Sequence, residues 1–408
     1  MKILMANKFF YLKGGSEYVF FETAQLLRNK GHTETFFSMD DLRNLDSEYK
    51  KYFVRSINYD ARGILNQLNN VSKLFYSFEA KKKIKELLQD EHPDIAHLHN
   101  IYHQISPSIL HALKEFNVPV VMTLHDYKMV CASHALLANG KICEACKDGR
   151  YYKCFIKRCV MSSRLKSLIN TIEMYLHHKI LHIYDLVDIF IAPSRFLKLK
   201  LEELGFKGQI IHLPNFVNLD EFIPQFTWEE KTIVYIGRLS LEKGLLTLLE
   251  AAKKTKGVSF KLIGDGSMRH TLEEKIKKEN IGNVNLLGYM IGEELKEEIR
   301  KSMFIVLPSE CYENNPRSII EGFALGKPAV ASRIGGVPEL IMDNRTGLTF
   351  DAGNKNDLCA KIESLVNNPD KIIEMGRNAR AYVEHELNSE KHYQRLTEIY
   401  NQLIKSKV

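Results

Sequence analysis

The 408 residues are 45% hydrophobic and 26% charged with a formal net charge of +7, a globular composition in a chain too long for one ordinary core, so two domains are expected. No apolar run reaches the roughly 18–20 residues that a bilayer-spanning helix needs. Seven cysteines behind a start too short for a secretion signal argue against a disulfide framework and for a cytoplasmic protein. The charge permits contact with an anionic membrane or a phosphorylated ligand but does not call for nucleic acid.

In chain order, Ile3–Ala6 reads as a strand, and Gly14 and Gly15 precede an amphipathic helix running to about Lys30. Residues 94–99 and 119–125 read as short buried strands with polar ends, the second closing on His125. A helical stretch over about 163–184 leads to a strand at 188–192. This is the grammar of a parallel sheet with helices on both faces. Residues 210–224 read as a connector. The second half repeats the pattern, with strands at 232–237, 260–264, 284–288, 303–307 and 329–332 and a last helix over about 388–405. The expected fold is α/β, two doubly wound Rossmann-like domains facing a central cleft, with ligands at the carboxyl ends of the strands.

Four segments carry candidate chemistry. Gly237 to Gly244 joins a strand to a helix, and Arg238 and Lys243 add two cations at a helix N-terminus, which suits a diphosphate. Taken alone it is also a common strand–helix turn with solvated charges. Gly14-Gly15 admits a phosphate close to the backbone, or is a plain turn. His125 could hydrogen-bond a sugar hydroxyl or accept a proton, or serve as a packed or capping histidine. Between Pro308 and Gly322, Glu313 and Glu321 flank an expected helix start, with Asn314 and Asn315 as caps and Pro316 at the first helical position. Eight residues put the carboxylates roughly 12 Å apart. That is too far to share one scissile bond, for which about 5–9.5 Å is needed, and is suited to the two ends of a nucleotide-sugar.

The cysteines are uneven. Cys131, Cys143, Cys146, Cys154 and Cys159 fall in one basic, aromatic stretch. Cys143 and Cys146 form a CxxC half-site, and a closed structural zinc on Cys131, Cys143, Cys146 and Cys159, with Cys154 as the alternative ligand, is one reading. Reduced thiols or a redox pair are the others. The basic and aromatic residues of this stretch could also meet anionic lipid headgroups.

Together these segments resemble a retaining GT-B glycosyltransferase of glycosyltransferase family 4. The resemblance covers nearly the whole chain and is strongest from about Pro193 to Phe350. It is carried by Ala192-Pro193-Ser194, Leu213-Pro214-Asn215, Gly237-Arg238 with Lys243-Gly244, Leu262 to Gly266, Glu313 to Glu321, Gly326-Lys327-Pro328 and Gly335 to Glu339. Two departures stand out: Phe216 follows Asn215 where many members have glycine, and the cysteine-rich insert is absent from many members.

The resemblance implies that Arg238 and Lys243 hold the donor diphosphate, Glu313 contacts the donor sugar with Asn314 and Asn315 beside it, and Glu321 binds the ribose. It puts Gly14, Gly15 and His125 on the N-terminal side of the catalytic site. It implies domains over 1–190, with the insert at about 131–159, and 191–385, and a helix over 386–408 crossing back to the first. The implied reaction moves a sugar from a UDP- or GDP-sugar to a glycan or polyprenyl-linked acceptor in cell-surface polysaccharide synthesis. No metal or other cofactor is required for catalysis, and structural zinc is set apart from it. The implied place is the cytoplasm, peripheral at the inner face of the plasma membrane. A non-catalytic nucleotide-sugar-binding partner is the alternative, and a zinc-dependent nucleic-acid module explains the cysteines but not the ordered motifs.

Overall fold

The computed structural model describes residues 1–56 and 72–407. Six strands form a first, all-parallel sheet: β1 (Lys2–Ala6), β2 (Thr33–Phe37), β3 (Ile95–Leu98), β4 (Val120–Thr123), β5 (Ile189–Ala192) and β6 (Ile210–His212), in the order β6-β5-β4-β3-β1-β2. Six more form a second: β7 (Thr232–Ile236), β8 (Ser259–Ile263), β9 (Val284–Gly288), β10 (Phe304–Leu307), β11 (Ala329–Ser332) and β12 (Gly347–Phe350), in the order β9-β8-β7-β10-β11-β12. The strand order reverses beside β1 and beside β7, as in doubly wound sheets, where ligands collect at the carboxyl ends. The central strands are buried on both faces, which is why they read as continuous apolar runs.

The chain divides into two compact units. One comprises Met1–Asn139, Cys143–Leu213 and Tyr393–Val408; the other comprises Gly140–Ile142 and Pro214–His392. In the first unit, the segment from Tyr393 is fastened to β3, where the Tyr400 hydroxyl lies 2.6 Å from Nδ1 of buried His97, whose Nε2 is 2.7 Å from Thr123 Oγ1. The second unit has one continuous core between its sheet and helices such as Leu245–Lys254 and Lys355–Val366.

Three strands of the two six-stranded sheets escaped the sequence reading. β2 opens Thr-Glu-Thr, and its buried Glu34 is tolerated because Arg28 pairs with it at 2.9 Å. β6 has three residues and lies within the expected connector, and β12 starts on a glycine. The helix expected over 163–184 ends at Tyr175. A π-turn (Leu176–Ile180) and a 3-10 turn (Ile183–Leu186) follow, with His182 left-handed at φ 46° between them.

Candidate functional site

In the second unit, the turn after β7 and the loop after β10 meet at the carboxyl end of the sheet. Lys243 ends a 3-10 turn (Leu241–Lys243) that feeds the helix Leu245–Lys254 through Gly244 at φ 66°. A Cβ at Gly244 would stand 1.8 Å from the Pro308 carbonyl oxygen, so only glycine lets the two loops approach. The approach is locked by Glu310, whose amide donates to the Glu242 carbonyl at 2.8 Å and whose carboxylate accepts from Thr247 at 2.6 Å.

This brings Lys243 Nζ to 2.5 Å from Glu313 Oε1, the oxygen that also accepts from Ser309 Oγ. Burial alone would raise the Glu313 carboxyl, but the Lys243 charge and the two donors outweigh it and hold the group below its ordinary range. Burial works against the Lys243 ammonium as well, and Glu313 overcomes that and raises it. The pair is therefore ionised at neutral pH. Arg238 is the exposed cation of this turn, with a side chain 68% exposed and 3.6 Å from Glu242. Its carbonyl is fixed by the buried Tyr235 hydroxyl at 2.8 Å.

Gly335 supports Glu313 from the other side. It sits at φ 61°, and a Cβ there would meet the Glu313 carbonyl oxygen at 2.2 Å, while the next amide, Gly336, donates to that oxygen at 2.7 Å. The Gly335-Gly336 motif thus positions the Glu313 backbone.

The helix expected at Pro316 begins one residue later, as Arg317–Ala324, with Pro316 extended at ψ 115° before it. Asn315 does not cap this helix. Its Oδ1 accepts from the Asn215 amide at 3.0 Å and its carbonyl accepts from Asn215 Nδ2 at 3.1 Å, clasping the Pro214-Asn215 segment. Glu321 is one turn inside the helix and takes the Arg317 guanidinium at 2.6 Å, in an i,i+4 pair. Sequence reasoning passed over Arg317, Ser309 and Tyr235, although the four-residue spacing of Arg317 and Glu321 was a usable signal.

In the first unit, Gly14 and Gly15 open the helix Gly15–Asn29. Gly14 is extended at φ −171°, and a Cβ on it would reach only ordinary contact, 3.7 Å from Glu17. The fold itself does not demand glycine there. His125 follows β4, with its Nε2 2.8 Å from His99 Nδ1, and burial pushes its pKa down to about 4. It is a neutral imidazole at pH 7, suited to hydrogen bonding and too weak a base to take a proton readily. Next to it, Asp126 accepts from the Tyr102 hydroxyl and from the Lys128 amide. Lys8 holds its ammonium 4.5 Å from the Tyr102 ring, its pKa lowered by burial.

All five clustered cysteines belong to the first unit and are free of disulfides. Cys146 and Cys154 share a small core with Tyr151 and Met174, and Cys159 packs against it. A shared hydrogen bond lowers the Cys154 thiol and raises that of Cys159, and burial pushes Cys146 up to about 12. Among the described residues, no group of three or more His, Cys, Asp or Glu side chains is arranged to hold a metal ion, so the thiols lie near one another without forming a four-ligand cage. Also among the described residues, no helix is long and apolar enough to cross a membrane.

The family model for glycosyltransferase family 4 matches residues 13–221, and that for glycosyl transferases group 1 matches residues 218–382. The chain is 27% identical over 383 residues to an uncharacterized glycosyltransferase of Methanocaldococcus jannaschii, spanning 94% of this chain and 93% of the relative. It is 31% identical over 181 residues to the amylovoran biosynthesis glycosyltransferase of Erwinia amylovora, spanning 42% of this chain and 44% of that one. Among solved structures, Anabaena HepE in complex with UDP-glucose matches with a TM-score of 0.68 at 17% identity, covering 99% of this chain and 100% of that one. Two all-parallel Rossmann-like sheets, with family models that match residues 13–221 and 218–382, make this chain a GT-B glycosyltransferase belonging to glycosyltransferase family 4.

Proposed function

We propose that this glycosyltransferase moves a sugar from a UDP- or GDP-sugar to a hydroxyl of a glycan or polyprenyl-linked acceptor in cell-surface polysaccharide synthesis, at the inner face of the membrane, with retention of anomeric configuration. The observation that carries the reading is the Lys243–Glu313 pair at 2.5 Å, held at the end of the second sheet by two loops that only glycines allow to meet.

Lys243 and the exposed Arg238 bind the donor diphosphate. As the bond to the anomeric carbon breaks, they stabilise the negative charge that builds on the leaving oxygen, the role a preorganised cation fills without a metal. Glu313, with Asn314 and Asn315 beside it, orients the donor sugar. Glu321, steadied by Arg317, accepts from the ribose hydroxyls. His125, neutral at working pH, hydrogen-bonds the sugar, and Gly14-Gly15 leaves room for a phosphate at the helix start. The acceptor hydroxyl attacks on the side the diphosphate leaves, and the departing phosphate oxygen takes its proton, which gives retention. The UDP-glucose named with the Anabaena relative and the amylovoran named with the Erwinia relative support the donor and acceptor classes.

Zinc at the cysteine cluster is a separate structural proposal. It would require Cys131, Cys143, Cys146 and Cys159 or Cys154 to turn toward one centre, and metal analysis of the purified chain tests it.

The functional test is donor hydrolysis and transfer across a panel of nucleotide-sugars. Lys243→Ala and Glu313→Ala are expected to lower turnover at least about 100-fold, as removal of one preorganised electrostatic group does. A folded Lys243→Ala enzyme with undiminished turnover refutes the assignment. Saturable binding without turnover in the wild type would make the chain a non-catalytic sugar-nucleotide binder.

A further inference from the structure

The helix Arg164–Tyr175 in the first unit is folded inside out. Its buried residues are Ser167, Asn170, Thr171, Glu173 and Met174, four of them polar, while Leu165, Leu168 and Ile172 face solvent, Leu165 at 66% exposure. The exposed three stand at i, i+3 and i+7, one stripe of a helix, which a soluble protein ordinarily turns toward its core.

The orientation is fixed by the inward face. Ser167 Oγ accepts from the Val160 amide at 3.0 Å, Thr171 Oγ1 donates to the Ser167 carbonyl at 2.7 Å, and Glu173 takes the buried Lys128 ammonium at 2.7 Å. Rolling the helix to hide Leu165, Leu168 and Ile172 would turn Glu173 toward solvent and leave Lys128 as an unpaired buried charge, a far larger cost than exposing three apolar side chains.

The neighbouring helix Tyr152–Lys157 does the same. Cys154 points inward, while Phe155 and Ile156 are exposed, Ile156 at 60%. Thr171 lies 3.3 Å from the Tyr151 carbonyl, which ties the two helices together. Met161, in the turn between them, is 79% exposed. From Tyr151 to Leu168 the chain carries Lys153, Lys157, Arg158, Arg164 and Lys166 and no Asp or Glu, whereas Arg150 pairs with Asp148 at 3.4 Å. An apolar patch with a one-sign rim repels a second copy offering the same face and complements a surface that is apolar in depth and negative at its edge.

We propose that the outward faces of Tyr152–Lys157 and Arg164–Tyr175 form an in-plane docking surface for an anionic lipid bilayer. The apolar side chains enter the acyl boundary and the cations meet the headgroups. Docking depends on the transferase reading only for its purpose, to bring a lipid-linked acceptor to the enzyme.

The test is co-sedimentation of the full chain with vesicles of phosphatidylcholine containing about one-third phosphatidylglycerol, against phosphatidylcholine alone, at low and high salt. The wild type is expected to pellet with the anionic vesicles, more weakly at high salt. Leu165→Ser/Leu168→Ser/Ile172→Ser and, separately, Arg164→Glu/Lys166→Glu are each expected to weaken binding at least about tenfold, with an unchanged melting temperature and unchanged donor hydrolysis. A wild type that stays in the supernatant, or a folded triple variant that binds as the wild type does, overturns the proposal. So does self-association in sedimentation velocity that the triple variant abolishes, since the partner would then be a second copy. Vesicle binding by a chain that hydrolyses no nucleotide-sugar would defeat the transferase reading and leave the docking surface standing.

Discussion

Lys327 offers the sharpest quantitative test of how the second unit is built. It lies in the Gly326-Lys327-Pro328 motif, is 1% exposed, and donates from Nζ to the Thr227 carbonyl at 2.7 Å. Burial pushes its pKa down from 10.5 to about 7. Between those values the unfolded chain binds one more proton than the folded chain, so this group makes stability rise with pH from about 7 to 10.5 and leaves it flat below 7. At about 1.4 kcal/mol per pKa unit the full span is about 5 kcal/mol, and the part lying between pH 7 and 9 is about 2 kcal/mol. The bond to Thr227 favours the ammonium, so these figures are ceilings. Lys327→Met removes the titration and leaves the Thr227 carbonyl unpaired, a loss of about 1–3 kcal/mol that does not change with pH. Trp228, the only tryptophan in the chain, is one residue from Thr227 and packs on the core of the second unit, so its fluorescence reports this unit. Urea unfolding followed at Trp228 should show the wild type gaining about 1–2 kcal/mol on the variant from pH 7 to pH 9. A difference between the two proteins that is the same at both pH values refutes a buried lysine that ionises near neutrality.

Three further outcomes follow from the same coordinates. Glu313→Gln releases Lys243 from its ion pair, so nucleoside diphosphate affinity by calorimetry should rise roughly 5–10-fold while turnover falls, whereas unchanged affinity would mean that Lys243 does not meet the phosphates. Gly335→Ala forces a Cβ against the Glu313 carbonyl at φ 61°. It should cost about 1–3 kcal/mol of stability and at least about tenfold in turnover, and a variant with wild-type melting and activity would remove Gly335 from the support of Glu313. Glu173→Gln strands the buried Lys128 ammonium and should cost about 3–5 kcal/mol, read as faster hydrogen exchange in the first unit, and unaltered exchange would contradict the burial of that pair.

The central strands and the separate segments carrying Lys243 and Glu313, though not the pairing of the two, were legible because each has a local cause: apolar runs for strands buried on both faces, and charges beside glycines for the turn. What stayed hidden depends on partners far along the chain. Asn315 looked like a helix cap because Pro316 followed it, yet its amide is committed to Asn215, a hundred residues away. Gly335 entered only as part of the Gly335 to Glu339 motif, and its contact with the Glu313 backbone is not legible from either segment alone. The helix Arg164–Tyr175 carried a sound amphipathic period, but periodicity does not say which stripe faces inward. That was decided by Lys128, a residue outside the helix.

The return of the segment from Tyr393 to β3 has a consequence for synthesis on the ribosome. The first unit begins at Met1 but includes residues made after Pro214–His392. All of the second unit, the early Gly140–Ile142 segment included, has been made once His392 emerges, while the first still waits with His97 lacking its Tyr400 hydroxyl. The part translated first is the part finished last, and until Tyr400 emerges the first unit is the one exposed to chaperones and proteases.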